Sequence, residues 1–247
     1  MDGAGTAATL RATWLWRTGL EPRQVTNFTT VHGVGEVFLA IPWVGPTPAV
    51  LDTLEALTRR GVRVSALGGS PEWASRPSLA AEWARRLAGY AFCAVHLDVE
   101  PWTSRSWPGH EVTYLARLAK LTAFLRARTG LPTEIDLPSW IAVRHGPAFR
   151  QVAAEADAVT VLAYRDRASA ILNAAEEARA ILTMLGRHYR LGVETRASRE
   201  GAHVTFFQEG RRAMERELNA VTSTIGEEAT FDGIAIHDLD GWRQLPN

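Results

Sequence analysis

The sequence predicts a closed (β/α)8 barrel, an α/β fold, and three observations predict it. Eight short apolar runs recur along 247 residues. Most are followed by a longer run with helical character, and such alternation implies parallel strands joined by crossovers. Eight units in about 250 residues match the size of that barrel. A doubly wound open sheet is the alternative. It usually carries a Gly-rich loop after its first strand, and Thr18-Gly19-Leu20 is no such loop.

The elements follow in order. Thr9–Trp16 reads as the first strand and Pro22–Val31 as a weak helix. Glu36–Trp43 is a clear strand with Pro42 at its end, where no ladder donor is needed. Thr47 can cap the helix Thr47–Arg60, Pro48 fits its first position, and Gly61 stops it. Val62–Leu67 is the third strand, Glu82–Tyr90 a poorer helix, and Ala91–Glu100 the fourth strand. Glu111–Arg128 is a strong helix, with Val112, Leu115, Leu118, Leu121 and Leu125 in helical register and Gly130 and Pro132 ending it. The strand Thr133–Leu137, the short helix Ala148–Ala156 and the strand Ala158–Tyr164 come next. After them stand the helix Ser169–Leu185, the strand Tyr189–Glu194, a helix within Thr205–Ile225 and the strand Phe231–His237. The tail from Asp238 has room for one or two helical turns. No linker or repeat interrupts the pattern, so residues 1–247 read as one domain, with 1–8 a short extension.

Composition narrows the partners. Lys plus Arg equals Asp plus Glu, 27 of each, so nothing points to nucleic acid or an acidic membrane surface. The single cysteine, Cys93, excludes an internal disulfide and a multi-cysteine metal site. No apolar run is long enough to span a bilayer. Residues 1–10 lack a basic start and an apolar stretch, so no signal peptide is read there, and a chain complete as written is expected in the cytoplasm.

The segment His96-Leu97-Asp98-Val99-Glu100-Pro101-Trp102 carries the chemistry. Side chains alternate along a strand, so His96, Asp98 and Glu100 share one face and Val95, Leu97 and Val99 the other. The apolar face suits packing against helices. The polar row then points into the barrel, with Glu100 at the carboxyl end of the fourth strand, where barrel chemistry is found. Buried charges need partners, so the row implies a hydrogen-bonded polar centre.

Acid–base work on a glycosidic bond takes a second carboxylate. Glu194 ends the seventh strand as Glu100 ends the fourth, and a spacing of about 5 Å across the barrel would suit retention of configuration. An ion pair with Arg196 or Arg165 is the structural alternative for Glu194. Asp136 lies two residues after Glu134 on a face that can turn inward. Tyr164 ends the sixth strand, and His237 the eighth.

Nine tryptophans are placed unevenly. Trp14 or Trp16 ends the first strand and Trp43 the second. Trp73 follows the third, Trp102 the fourth, Trp140 the fifth and Trp242 the eighth. An indole offers a broad apolar face with one donor, which suits a sugar ring. Trp83, mid-helix, reads as core, and Trp107 is ambiguous.

These residues resemble those of the TIM-barrel glycoside hydrolases in two ways. Glutamates ending strands four and seven resemble the large clan of retaining glycosidases, in which the first is acid/base and the second nucleophile. Asn usually precedes that acid/base, and Val99 stands there instead. The chain is also similar to the chitinase-like family 18 barrels, whose strand-four motif is DxxDxDxE. Its positions fall on Cys93, His96, Asp98 and Glu100, so the final DxE is kept. The family's Met-x-Tyr-Asp pattern in strand six falls on Leu162-Ala163-Tyr164-Arg165, keeping the tyrosine, and its strand-eight tryptophan falls near His237.

The resemblance implies a glycoside hydrolase that needs no cofactor and takes carbohydrate as its partner. Glu100 is then the general acid/base. Either Glu194 attacks the anomeric carbon, or Asp98 orients a substrate N-acetyl group that attacks it while Glu194 only binds sugar. Tyr164 would hydrogen-bond the reacting centre. Trp14, Trp16, Trp43, Trp73, His96, Trp102, Asp136, Trp140, Arg165, His237 and Trp242 are the expected sugar contacts. Two other classes stay open: a non-catalytic carbohydrate-binding barrel, and a metal-dependent sugar isomerase or amidohydrolase using His96, Asp98, Glu194 and His237.

Overall fold

The computed structural model describes residues 11–16 and 19–247. The strands are β1 (Arg11–Leu15), β2 (Val34–Ala40), β3 (Arg63–Gly68), β4 (Ala94–Leu97), β5 (Thr133–Pro138), β6 (Ala158–Leu162), β7 (His188–Glu194) and β8 (Phe231–His237). The helices are α1 (Pro22–Val31), α2 (Pro48–Thr58), α3 (Pro77–Arg85), α4 (Glu111–Thr129), α5 (Ser139–Glu155), α6 (Ala168–Met184), α7 (Arg211–Ile225) and α8 (Leu239–Gln244). Every strand pairs in parallel with its chain neighbours, and β1 pairs with β8 to close the barrel in the order β1 to β8. The fold is the (β/α)8 barrel that the alternation predicts. No helix among the described residues is long and apolar enough to cross a membrane.

Several boundaries differ from the sequence reading. Residues 1–8, read as an extension, and the start of the first strand at Thr9 lie outside the described residues. The second strand ends at Ala40, before Pro42 and Trp43. The third helix is Pro77–Arg85 rather than Glu82–Tyr90, because Pro77 takes the first helical position, where a missing N–H costs nothing. The fifth helix begins at Ser139 and bends at His145, two residues before Pro147, so the predicted start at Ala148 is only its second half. The seventh helix, Arg211–Ile225, lies within the span expected to hold it.

The correction that matters most is at β4, which is four residues long instead of ten. Its ladder with β5 covers Val95, His96 and Leu97. The Asp98 N–H still donates to the Gly68 carbonyl at 3.0 Å, and then the chain leaves the sheet into a tight turn at Pro101–Thr103. Asp98 and Glu100 therefore stand on the rim rather than in the strand.

Two apolar layers hold the molecule. The larger lies between strands and helices and contains Val95, Leu97 and Val99, the face expected to turn outward. The smaller lies inside the barrel and contains Ala12, Trp14, Phe38, Leu67 and Ala235. The remaining interior is ionic. Arg190 donates to Glu134 at 3.1 Å and to Glu36 at 2.6 Å, and Ser65 donates to Glu36 at 2.7 Å. All of these side chains are buried, and each charge has an opposite partner, as burial requires.

Candidate active site

Two close backbone approaches hold the site in place. A Cβ on Gly69 would lie 1.7 Å from the Asp98 carbonyl oxygen, and one on Gly68 would lie 2.4 Å from the Trp83 ring. Only glycines let the β3 loop pass beneath Asp98 at this distance. Trp83, whose indole N–H donates to the Ile41 carbonyl, backs the loop from outside. The β4 terminus is thus pinned by β3 on one side.

His96 lies inside the barrel, fully buried, with its ring stacked on Phe38 at a centroid distance of 3.6 Å. Its Nε2 is 2.9 Å from Asp136 Oδ1 and its Nδ1 is 3.3 Å from Glu134 Oε2. Burial alone would lower the imidazole pKa. The charge and hydrogen bond of Asp136 and those of Glu134 outweigh it and raise the value to about 9. His96 is therefore an imidazolium at neutral pH and donates through both nitrogens. The same pairing, with the Arg190 charge, outweighs burial at Glu134 and lowers its pKa to about 2. The second oxygen of Asp136 accepts the Trp14 indole N–H at 3.0 Å.

The β4–β5 register pairs His96 with Glu134 and Leu97 with Ile135, so Asp98 leaves the strand next to Asp136, with Glu100 two residues further on. Burial, the Asp136 charge and the Glu100 charge raise Asp98 well above the ordinary carboxylate range. Burial and Asp136 raise Glu100, opposed by a hydrogen bond from the Trp102 indole. Tyr164 stays a neutral phenol, its pKa raised by burial and by the charges of Glu194, Asp136 and Asp98.

Glu194 is occupied. Its Oε1 accepts the backbone N–H groups of Thr195 at 2.8 Å and Arg196 at 2.7 Å. Its Oε2 is 2.9 Å from His237 Nδ1. The Trp16 indole donates to His237 Nε2 at 3.0 Å. An indole N–H can only donate, so Nε2 accepts and Nδ1–H donates to Glu194. The ion pair with Arg196 that stood as the structural alternative for Glu194 gives way to this backbone contact. The Arg196 guanidinium goes to Asp238 instead.

The tryptophans separate into four groups. Trp14 is buried under the mouth, between Phe38, His96 and His237. Trp16 and Trp43 are exposed, with the Arg86 guanidinium over the Trp43 face. Trp102 and Trp140 are half-buried and meet edge-to-face with each other and with Trp107. Trp73 and Trp242 do not join them. Trp73 packs on Trp83 and Trp242 on Phe28 and His32, both in the outer apolar layer. Both indoles are buried there. Arg165 donates to the carbonyl of Tyr164, alongside the mouth.

Glu36 and Arg190 are interior residues that the reading by strand ends missed. Their signal was parity: Arg190 shares a face with Glu194, and Glu36 with Phe38. As for a metal enzyme built on His96, Asp98, Glu194 and His237, both His96 nitrogens face carboxylates inside the protein. Among the described residues, no three His, Cys, Asp or Glu side chains are arranged to hold a metal ion.

Three solved structures share this architecture. A GH18 chitinase from Pseudoalteromonas aurantia is 12% identical, with 93% of this chain covering 94% of that one and a TM-score of 0.68. The catalytic domain of a family GH18 chitinase from the fern Peteris ryukyuensis is 14% identical, over 94% and 92%, with a TM-score of 0.62. An endo-β-N-acetylglucosaminidase from Cordyceps militaris is 16% identical, over 94% and 82%, with a TM-score of 0.56. The likeness is one of fold. No family model and no curated protein matches the sequence. The chain shares its (β/α)8 barrel with these structures over nearly its whole length.

Proposed function

We propose that this barrel is a glycoside hydrolase acting on N-acetylated glycans with assistance from the substrate. The observation that carries the reading is the Asp98–Glu100 pair on the β4 rim, two carboxyls raised by burial and by Asp136. It is supported by the resemblance of DxE to the chitinase-like barrels and by the names of the proteins that share the fold.

In this reading Glu100 gives its proton to the glycosidic oxygen as the bond to the anomeric carbon breaks. The acetamido oxygen of the same sugar attacks that carbon and closes a cyclic oxazolinium. Asp98 holds the acetamido N–H in place. The Glu100 carboxylate then takes a proton from the water that opens the ring, and configuration is retained. A raised pKa suits Glu100 to both roles. Trp14 and Tyr164 line the floor, and Trp102 and Trp140 offer ring faces beside it. Glu194 orients His237 and the β7 turn in this reading, since three protein donors already engage its two oxygens.

The test is product formation from chito-oligosaccharides and other N-acetylated glycans, detected by mass. Wild type, Glu100→Gln, Asp98→Asn and Glu194→Gln run side by side. Cleavage lost in the first two variants and kept in the third supports the reading. Equal cleavage of de-acetylated substrates, or abolition by Glu194→Gln, moves the nucleophile to the protein. Binding without cleavage by wild type makes this a carbohydrate-binding barrel.

A further inference from the structure

Beneath the rim, the interior charges form one continuous chain. Asp136 meets His96, His96 meets Glu134, Glu134 meets Arg190 and Arg190 meets Glu36, at 2.9, 3.3, 3.1 and 2.6 Å. Ser65 closes it on Glu36. Of these, Asp136 and His96 both act on Asp98 at the rim, and the β4–β5 register, Leu97 beside Ile135, brings Asp98 out next to Asp136.

The rotamer of Asp136 is fixed at both oxygens, by Trp14 and by His96. The ring of His96 is fixed by stacking on Phe38 and by Glu134 on its far nitrogen. None of these groups needs to touch a sugar for the arrangement to hold. Its only outlet is electrostatic: a negative charge at a set place under Asp98 and Glu100.

We propose that His96 and Asp136 are positioning residues for the Asp98–Glu100 pair. The buried imidazolium clamps a carboxylate beneath the rim, and that fixed charge keeps the pair's proton in place. The proposal rests on reading that pair as the reacting acid, and it deepens that reading.

The groups facing the pair are few and can be named. From β5 comes Asp136, from β4 His96, from the end of β6 the Tyr164 phenol, from β8 His237, and from the turn after β4 the Trp102 indole. Asp136 and the neighbouring carboxyl push proton affinity up at Asp98, while His237 and His96 pull it down, with burial acting alongside the carboxyls. The charge of Asp136 ranks above that of either histidine. Loss of Asp136 therefore releases the proton more readily, and loss of the His96 cation retains it more tightly. A part that only packs would not give opposite signs at its two ends.

The test is a carboxyl 13C titration of Asp98 and Glu100 in wild type, Asp136→Asn and His96→Gln, with the imidazole 15N spectrum of wild type at pH 7.5. The expected result is a midpoint lowered by about one pH unit in Asp136→Asn and raised in His96→Gln. His96 shows both nitrogens protonated. Midpoints that do not move in folded variants overturn the proposal. So does a neutral His96 in wild type, a measurement that needs no variant to fold. Turnover of chito-oligosaccharides is measured separately. Inactive wild type with shifted midpoints removes the hydrolase reading alone, and active wild type with unmoved midpoints removes this one alone.

Discussion

Glu194 Oε2 accepts the Nδ1–H of His237 at 2.9 Å. With its other oxygen on two backbone N–H groups, the carboxylate is part of the architecture of the β7–β8 rim. A nucleophile needs a free lone pair aimed at carbon, and protein donors already hold three of the roughly four lone-pair sites of this carboxylate.

Glu194→Gln is therefore expected to lower kcat by about tenfold, the scale of one or two weakened hydrogen bonds. Removal of a covalent nucleophile would cost ~10³-fold or more. Steady-state kinetics on a cleaved glycan separates the two. Glu100→Gln supplies the scale, with an expected loss of at least ~10²-fold for a missing general acid.

His237 links this carboxylate to the exposed Trp16. Burial lowers the His237 pKa, but the Glu194 hydrogen bond and charge, with Asp238 and Asp98 adding, raise it overall. A second proton would sit on Nε2, where the Trp16 N–H now points. Acidification through the His237 pKa is thus expected to break the Trp16 bond. The check is tryptophan emission between pH 9 and 5, wild type minus Trp16→Phe. A pH-dependent difference is expected, and a flat one would show that Trp16 does not depend on this imidazole.

How far the sequence carries can be judged from particular elements. The strand Phe231–His237 and the helix Pro22–Val31 were legible to the residue. The strand Ala91–Glu100 was not. The alternation of HLDVE continues past the last ladder bond, and nothing local marks where β5 stops offering partners. The helix Glu82–Tyr90 was misplaced because Pro77 is a start signal as strong as the apolar period that follows. At the site, strand parity showed that His96 turns away from Val95 and Leu97, and that Glu134 and Asp136 share a face. Partner identity was not legible. The backbone donors on Glu194 come from a turn, and the Arg190 fork meets two carboxylates from β2 and β5, far apart in the chain. Trp73 and Trp242 follow strand ends as Trp102 does, but their side chains leave on the outer side.

Gly69 ties fold to site most directly. Its missing Cβ would overlap the Asp98 carbonyl oxygen, and backbone cannot yield as a side-chain end can. Gly69→Ala is expected to destabilise by about 1–3 kcal/mol, as overpacking does, and to displace Asp98. Urea unfolding measures the first effect. A loss of turnover larger than that of a control Gly→Ala on an outer turn, such as Gly61, measures the second.

The interior charges also set a pH dependence of stability. His96 has a folded pKa of about 9, above its ordinary 6.5. A raised value means that the folded chain binds the proton more tightly. Its stabilisation is complete below about 6.5 and is lost as pH rises through about 9, a contribution on the order of 3 kcal/mol. Glu134 works in the other direction. Its folded value of about 2 lies below the ordinary 4.5, so its stabilisation is complete above 4.5 and is lost as pH falls through about 2. Urea unfolding from pH 6 to 10 is expected to show wild type losing its advantage over His96→Gln across the alkaline window. A constant difference would mean that His96 carries no proton at neutral pH, and the charge beneath the rim would then have to be held by Trp14 alone.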